Sequence, residues 1–217
     1  MADRQRYADR AEAGRVLAAE LGAYADRADV LVVALPRGGV PVAAQVAAEL
    51  KAPLDVVVVR KLGLPTQPEL AMGAVAGVGD TTEVVRNEAV ITQARLSSRD
   101  FEVVREREVA QLRRKRSEYR GQRAAAPVTG RIVIVVDDGL ATGSTMRAAL
   151  TVLARLRPAA TVVAAPVGSP TACAELQAEA SEVVCPWRPR HFVAVGQAYR
   201  EFDPVADDDV AQLLSKY

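Results

Sequence analysis

An α/β fold on a doubly wound, mainly parallel five-stranded sheet, carrying a small hood and an inserted hairpin and helix segment, is what this 217-residue sequence predicts. Three observations lead there. Short apolar runs alternate with helical patterns, the rhythm of βαβ units. The runs are apolar throughout rather than at every second residue, as strands covered on both faces must be. Two of them end in loops rich in glycine and charge, Pro36–Gly39 and Asp137–Thr145, and ligands in such sheets bind beyond the carboxyl ends of neighbouring strands at the switch point.

Taken in order, Arg6 to about Arg27 alternates Ala11, Val16, Leu17, Ala19 and Leu21 with charges, the pattern of an amphipathic helix lying on a core. Val30–Leu35 reads as the first buried strand, Pro36–Gly39 as a turn, and Val40 to Leu50 as an alanine-rich helix. Leu54–Val59 is the second strand and ends at Arg60–Lys61. Gly63 to Gly79 is rich in glycine and proline. With β-like pieces near Gly73–Val78 and Glu83–Arg86 it predicts a hairpin or a mobile loop. From Asn87 to Arg123 the chain is strongly helical and highly charged, with Phe101, Val104, Val109 and Leu112 as a sparse apolar stripe, and Ala124–Gly130 is a linker. Arg131–Val136 is the third strand, followed by a helix from Thr142 to Arg155. Thr161–Pro166, a helix over about Thr171–Ala180, and a strand at Glu182–Cys185 complete the core. The tail holds Trp187, Phe192, Tyr199 and Phe202 and a short helix around Asp207–Leu214. With right-handed crossovers the expected strand order is 2-1-3-4-5. One domain over 1–217 is expected, with a core at about 28–186, an insertion at about 62–125 and a hood or tail at about 187–217.

Composition excludes several classes. Half the residues are hydrophobic and 4% aromatic, so the core is built of Ala, Val and Leu. A net charge of +1 gives no general attraction to nucleic acid or to an anionic membrane. The basic stretch Arg113–Arg116 is interleaved with Glu102, Glu106, Glu108 and Glu118 at helical spacing, which predicts ion pairs on a surface or oligomer helix. Cys173 and Cys185 have no metal or redox spacing and are expected to be reduced. The beginning, with Asp3, Arg4 and Arg6, lacks an apolar signal segment, and no apolar stretch reaches the roughly 20 residues of a membrane span, so a cytoplasmic location is expected.

The chemistry concentrates in Arg131–Thr145. A β-branched run ends in two adjacent carboxylates, Asp137 and Asp138. A small-residue turn, Gly139–Leu140–Ala141, follows, and then Thr142, Ser144 and Thr145 crowd around Gly143 where a helix begins. A helix start offers unsatisfied N–H groups and about half a positive charge to a phosphate. Two carboxylates can accept hydrogen bonds from vicinal hydroxyls and help hold a hydrated Mg²⁺. The segment is not a Walker A loop, because no lysine follows Gly143, and Gly38–Gly39 leads to Val40–Pro41 rather than to a dinucleotide fingerprint.

This segment resembles the phosphoribosyl pyrophosphate (PRPP) signature of type I phosphoribosyltransferases, and the chain as a whole is similar to a group of uncharacterised members. The resemblance implies that Asp137 and Asp138 hold the ribose 2′- and 3′-hydroxyls and, with them, Mg²⁺. It implies that Ala141 to Thr145, after Gly139, wrap the 5′-phosphate. Pro36–Arg37–Gly38–Gly39 would be the pyrophosphate loop, its glycines admitting close approach or positive φ, its Arg37 a forked donor, with a cis peptide expected at Arg37–Gly38. Arg60 and Lys61 would reach the pyrophosphate, and Leu62–Pro65 would begin a closing loop. Glu69 is a candidate acid or acceptor contact, or a solvated loop carboxylate. Phe192 is a candidate stacking residue in a hood segment, or a core aromatic, and His191 is expected to be solvated or structural. Ala198 stands where related hoods carry an aspartate, and Ala141 where many base-salvage members carry a third acid, so neither role is expected here. The implied reaction is Mg²⁺-dependent transfer of phosphoribose from PRPP to a nitrogen of a nucleobase-like heterocycle; the resemblance suggests a homodimer, while the sequence leaves the oligomeric state open. A PRPP- or nucleotide-binding regulator without turnover is the alternative. A diphosphokinase making PRPP would need a second such domain.

Overall fold

The structure, a computed structural model, describes residues 6–78, 80–121, 123, 124 and 126–217. Asp3 and Arg4, and positions 79 and 125 of the expected loop and linker, lie outside the described residues. Among the described residues seven strands form one sheet: β1 (Val30–Ala34), β2 (Leu54–Gly63), β3 (Ala71–Val78), β4 (Thr81–Arg86), β5 (Ile132–Val136), β6 (Ala160–Ala164) and β7 (Glu182–Val184). Their order is β4-β3-β2-β1-β5-β6-β7. The five strands β2-β1-β5-β6-β7 are mutually parallel and lie in the predicted order. The hairpin β3–β4 extends the sheet antiparallel from β2. β2 therefore runs past the expected end at Val59. Its parallel pairing with β1 covers Leu54 to Val56, and Val57 to Gly63 pair antiparallel with Ala71 to Val78.

Seven helices of the described residues cover the sheet: α1 (Arg10–Glu20), α2 (Gly39–Leu50), α3 (Glu88–Gln93), α4 (Ser98–Arg120), α5 (Ser144–Arg155), α6 (Pro170–Leu176) and α7 (Asp207–Leu214). Alternate residues of each central strand feed opposite layers, as the period of two requires. Val30, Val32 and Ala34 of β1 and Ile134 and Val136 of β5 pack with α1, α2, α4 and α7. Leu31, Val33, Val133 and Val135 pack with α5 and α6. Cys173 and Cys185, both free and buried, belong to this second layer.

The expected long charged helix is two helices. Arg95 adopts φ +51 after α3, and Ser97 starts α4 with a capping box in which its hydroxyl accepts from the Asp100 amide at 3.2 Å and the Asp100 carboxylate accepts from the Ser97 amide at 3.1 Å. Of its predicted stripe Phe101, Val104 and Leu112 are buried and Val109 is half-buried. The first helix is shorter than expected. Asp9 caps α1 by accepting from the Glu12 amide at 2.8 Å, and a short 3₁₀ turn at Gly22–Tyr24 follows it. Backbone bonds from Tyr7 to the Ala198 carbonyl (2.9 Å) and from Arg200 to the Tyr7 carbonyl (2.8 Å) tie the segment before α1 to the tail. Two ends of the chain thus meet beside the carboxyl end of β5.

Candidate active site

β1 and β5 pair in register, Ala34 opposite Val136, and the Leu35 amide donates to the Val136 carbonyl at 2.8 Å. The two loops singled out in the sequence therefore leave the same sheet edge side by side. Their contact is close enough to dictate residue type. A Cβ on Gly38 would lie 2.0 Å from Asp138 Oδ2, and one on Gly39 would lie 2.7 Å from the Val136 carbonyl oxygen and 3.0 Å from Asp137 Cα. Positive φ is not the reason for these glycines, since Gly38 has φ −59 and Gly39 opens α2. Close approach is. The cis peptide of this loop is Pro36–Arg37, one bond earlier than expected.

Positive φ is needed instead at Gly143, whose left-handed backbone (φ +69) ends the second loop so that α5 starts at Ser144, two residues later than predicted. The Thr142 hydroxyl oxygen accepts from the Ser144 amide at 3.3 Å and stands 3.2 Å from the Ser144 hydroxyl. Ala141, Thr142, Ser144 and Thr145 are exposed around this turn. The Ala141 carbonyl accepts from Ser169 at 2.8 Å, fixing the loop on the start of α6. Gly139 is buried, and a Cβ there would lie 2.5 Å from Val195 Cγ1 of the tail.

Each acid of the pair has one oxygen engaged by the protein. Asp137 Oδ1 accepts from the Asp138 amide at 2.9 Å. Asp138 Oδ2 accepts from Arg10 Nε at 2.9 Å, with both side chains largely buried. Burial raises the carboxyl pKa of Asp137 well above the usual range, and the neighbouring charge of Asp138 adds to it. Burial also raises Asp138, opposed by the Arg10 guanidinium.

Nothing in the motif announced Arg10. It comes from the first turn of α1, stacks 3.9 Å over the Phe202 ring and donates from Nη1 to the Asp203 carbonyl at 2.8 Å. The Tyr199 hydroxyl, its pKa raised mainly by burial, donates to the Asp138 carbonyl at 2.5 Å. Phe192 is half-buried against this aromatic group, whereas His191 is exposed.

A cleft of about 370 Å³ adjoins the acid pair's loops, lined among others by Pro36, Arg37, Arg60, Lys115, Tyr119 and Thr145. Lys115 and Tyr119 come from α4, which was expected to be a charged surface or oligomer helix. Asp207 of α7 accepts from both, at 2.7 Å and 2.6 Å. Lys115 is the first cause of the low carboxyl pKa of Asp207, while burial pushes the Tyr119 phenol up to about 12. Arg60 faces α4, donating to Glu108 and Gln111 at 2.6 Å each. Lys61 lines two spaces, a cavity against α4 that it shares with Arg60 and Glu108, and a hollow of about 470 Å³ with Ser144 and Arg147 of α5. A larger cavity, about 640 Å³, lies between the β2–β3 connection and α4 and holds none of the motif residues Asp137–Thr145. Glu69 is exposed.

The phosphoribosyl transferase domain family matches residues 5–199, which includes both loops, the acid pair and Arg10. The chain belongs to this family. Among curated proteins it is 44% identical over 208 residues to Rv0571c of Mycobacterium tuberculosis strain H37Rv, a protein named as a candidate phosphoribosyl transferase, and equally to MT0597 of strain CDC 1551. Those matches cover 96% of this chain but 46% of either relative, so the chain spans about half the length of the curated relatives it matches. Among solved structures it superposes on TT1426 from Thermus thermophilus with a TM-score of 0.84 and 42% identity, covering 98% of this chain and 99% of that one. The match extends beyond the sheet. The hairpin, the charged helix and the tail of this phosphoribosyl transferase domain fall within the superposed length.

Proposed function

We propose that this protein transfers the phosphoribosyl group of PRPP to a ring nitrogen of a nucleobase-like heterocycle and releases pyrophosphate, with Mg²⁺ as cofactor. The observation that carries the reading is the meeting of the two loops. Gly38 and Gly39 lie so close to Asp138 and Asp137 that no side chain fits between them, which brings the acid pair against the Arg37 turn and supports a site shared by the two loops.

In that site each part of an activated pentose phosphate has a complement. The exposed hydroxyls of Thr142, Ser144 and Thr145, with the amide groups opening α5, suit a 5′-phosphate. Asp137 and Asp138 suit the ribose diol. Arg37, Arg60 and Lys115 line the cleft where a pyrophosphate leaving group would gain charge, Lys115 paired there with Asp207 and Arg60 with Glu108. Lys61 would approach from the α5 side, beside the phosphate loop.

Among the described residues no three His, Cys, Asp or Glu side chains gather to form a closed metal site. That fits Mg²⁺, which is commonly bound through one or two carboxylates together with substrate oxygens and water. Asp137 and Asp138 would hold it, and when bound it would neutralise charge on the pyrophosphate. The protein's own work is to orient the sugar through the acid pair and the phosphate loop, to meet the leaving group with cations, and to exclude water. Among the described residues no helix is long and apolar enough to cross a membrane.

The test is a screen for pyrophosphate release from PRPP and Mg²⁺ over a panel of purines, pyrimidines and other nitrogen heterocycles, with calorimetry for PRPP binding alongside. At least one acceptor is expected to give turnover, and Asp137→Asn with Asp138→Asn is expected to abolish it in a folded protein. Undiminished release in that double variant defeats the proposal. PRPP binding with no turnover for any heterocycle replaces it with the regulatory reading.

A further inference from the structure

We infer that Arg10 is a positioning residue that selects a vicinal diol, by deciding which carboxylate oxygens of the acid pair remain free. The inference rests on the phosphoribosyl reading above and adds to it a residue from outside the motif.

The argument is an oxygen count. Two adjacent carboxylates carry four oxygens. Asp137 Oδ1 is occupied by the Asp138 amide at 2.9 Å and lies 3.3 Å from where a Gly39 Cβ would be. Asp138 Oδ2 is occupied by Arg10 Nε at 2.9 Å and lies where a Gly38 Cβ would be, 2.0 Å away. Each acid thus has one oxygen held by a donor. Asp137 Oδ2 and Asp138 Oδ1 are left over. One free acceptor on each of two consecutive residues matches two hydroxyls on consecutive carbons.

The fixation of Asp138 is the vulnerable half. Asp137 is held by a main-chain donor of its own neighbour, which no side-chain change removes. Asp138 is held by a side chain from a helix 128 residues away in sequence. Arg10 is in turn fixed by the Phe202 ring and the Asp203 carbonyl. Without it, Asp138 could rotate and offer either oxygen, or both to one hydroxyl, and the one-to-one match would be lost. A residue that served only packing would not change preference between sugars.

The probes are ribose 5-phosphate and 2-deoxyribose 5-phosphate, which share the phosphate and differ in one hydroxyl of the diol. Binding is measured by calorimetry on the full chain, for wild type, Arg10→Gln and Arg10→Lys, with melting curves to verify folding. A hydrogen bond to a charged group is worth about 1.5–3 kcal/mol, so wild type is expected to prefer the ribose compound about tenfold or more. Arg10→Gln is expected to bring that preference below about threefold, chiefly by losing ribose affinity, with Arg10→Lys in between because it keeps the charge but not the fork. An Arg10→Gln ratio equal to wild type overturns the inference and leaves the proposed function standing. Wild type binding neither sugar phosphate overturns the proposed function itself. Should Arg10→Gln not fold, the Arg10→Lys ratio decides alone: unchanged from wild type, it refutes the inference.

Discussion

Gly38→Ala is the sharpest probe of how the two loops are joined. Gly38 has φ −59 and ψ −34, ordinary right-handed helical values, so alanine fits the backbone and by itself would stabilise the fold by about 0.4–1 kcal/mol through the unfolded state. The new Cβ, however, would stand 2.0 Å from Asp138 Oδ2 and 2.7 Å from its Cγ, where ordinary contact begins at 3.4 Å. Something must move by about 1.4 Å. The easiest movement is rotation of the Asp138 carboxylate away from Arg10, which breaks a hydrogen bond between charged groups worth about 1.5–3 kcal/mol. The net destabilisation is then about 1–2 kcal/mol, roughly 2–8 °C in melting temperature for a domain of this size. Affinity should fall much further than stability, because a catalytic or binding group displaced by about 1 Å costs about a hundredfold. Calorimetry with PRPP and Mg²⁺, set beside thermal melting, reads both. A Gly38→Ala protein that binds PRPP as wild type does would refute the claim that these glycines exist to admit the acid pair.

Four further outcomes follow from the same geometry. Burial raises the Asp137 carboxyl, so its ionisation opposes folding: that contribution to stability is fully present below about pH 4, the unfolded value, and is lost as pH rises through the folded one. Asp137→Asn should therefore melt above wild type at pH 7 and converge with it near pH 3, and equal melting temperatures at pH 7 would contradict this. Gly139→Ala should cost about 1–3 kcal/mol by driving a methyl into Val195, and Val195→Ala in the same chain should recover most of it, which denaturant titrations would detect. Asp55→Ala leaves the buried Arg120, paired with it at 2.8 Å, with only the exposed Asp80 as a carboxylate partner, and should cost up to about 3–5 kcal/mol in chemical denaturation while leaving ribose 5-phosphate affinity of the folded protein unchanged; a change in that affinity would show that this pair is coupled to the site. Lys115→Met should weaken pyrophosphate binding about tenfold and Lys115→Arg much less, and equal affinities would remove α4 from the cleft.

The parallel half of the fold was legible because its strands are apolar on both faces and its loops fall at their carboxyl ends. Val30–Leu35 and Arg131–Val136 could hardly be anything but neighbours once both were followed by ligand-type loops. The hairpin was legible as a hairpin but not as an extension of the sheet. Ala71–Val78 reads AMGAVAGV, whose alanines and glycines carry little strand preference, and Arg60–Lys61 looked like the end of β2 when they are its continuation. The break at Arg95 was hidden by good helix formers on both sides, and only the Ser97…Asp100 spacing marked it. Asp137, Asp138 and the Thr142–Thr145 loop were visible because one local segment holds them all. Lys115 and Tyr119 were not, because a basic residue on a charged helix gives no sign of which face it occupies until α7 brings Asp207 against it.

Arg10 shows why a site of this kind cannot be local. Two carboxylates on adjacent residues repel, and burial makes both harder to ionise, so the motif by itself favours a state in which at least one acid is protonated or turned to water. The glycines of the neighbouring loop only make room. They supply no charge. Charge has to arrive from an element free to carry a cation across the sheet edge, and the chain brings α1 there by pairing Tyr7 with Ala198 and Arg200 and by stacking Arg10 on Phe202. The two terminal segments are therefore a condition for the acid pair rather than an ornament on the core.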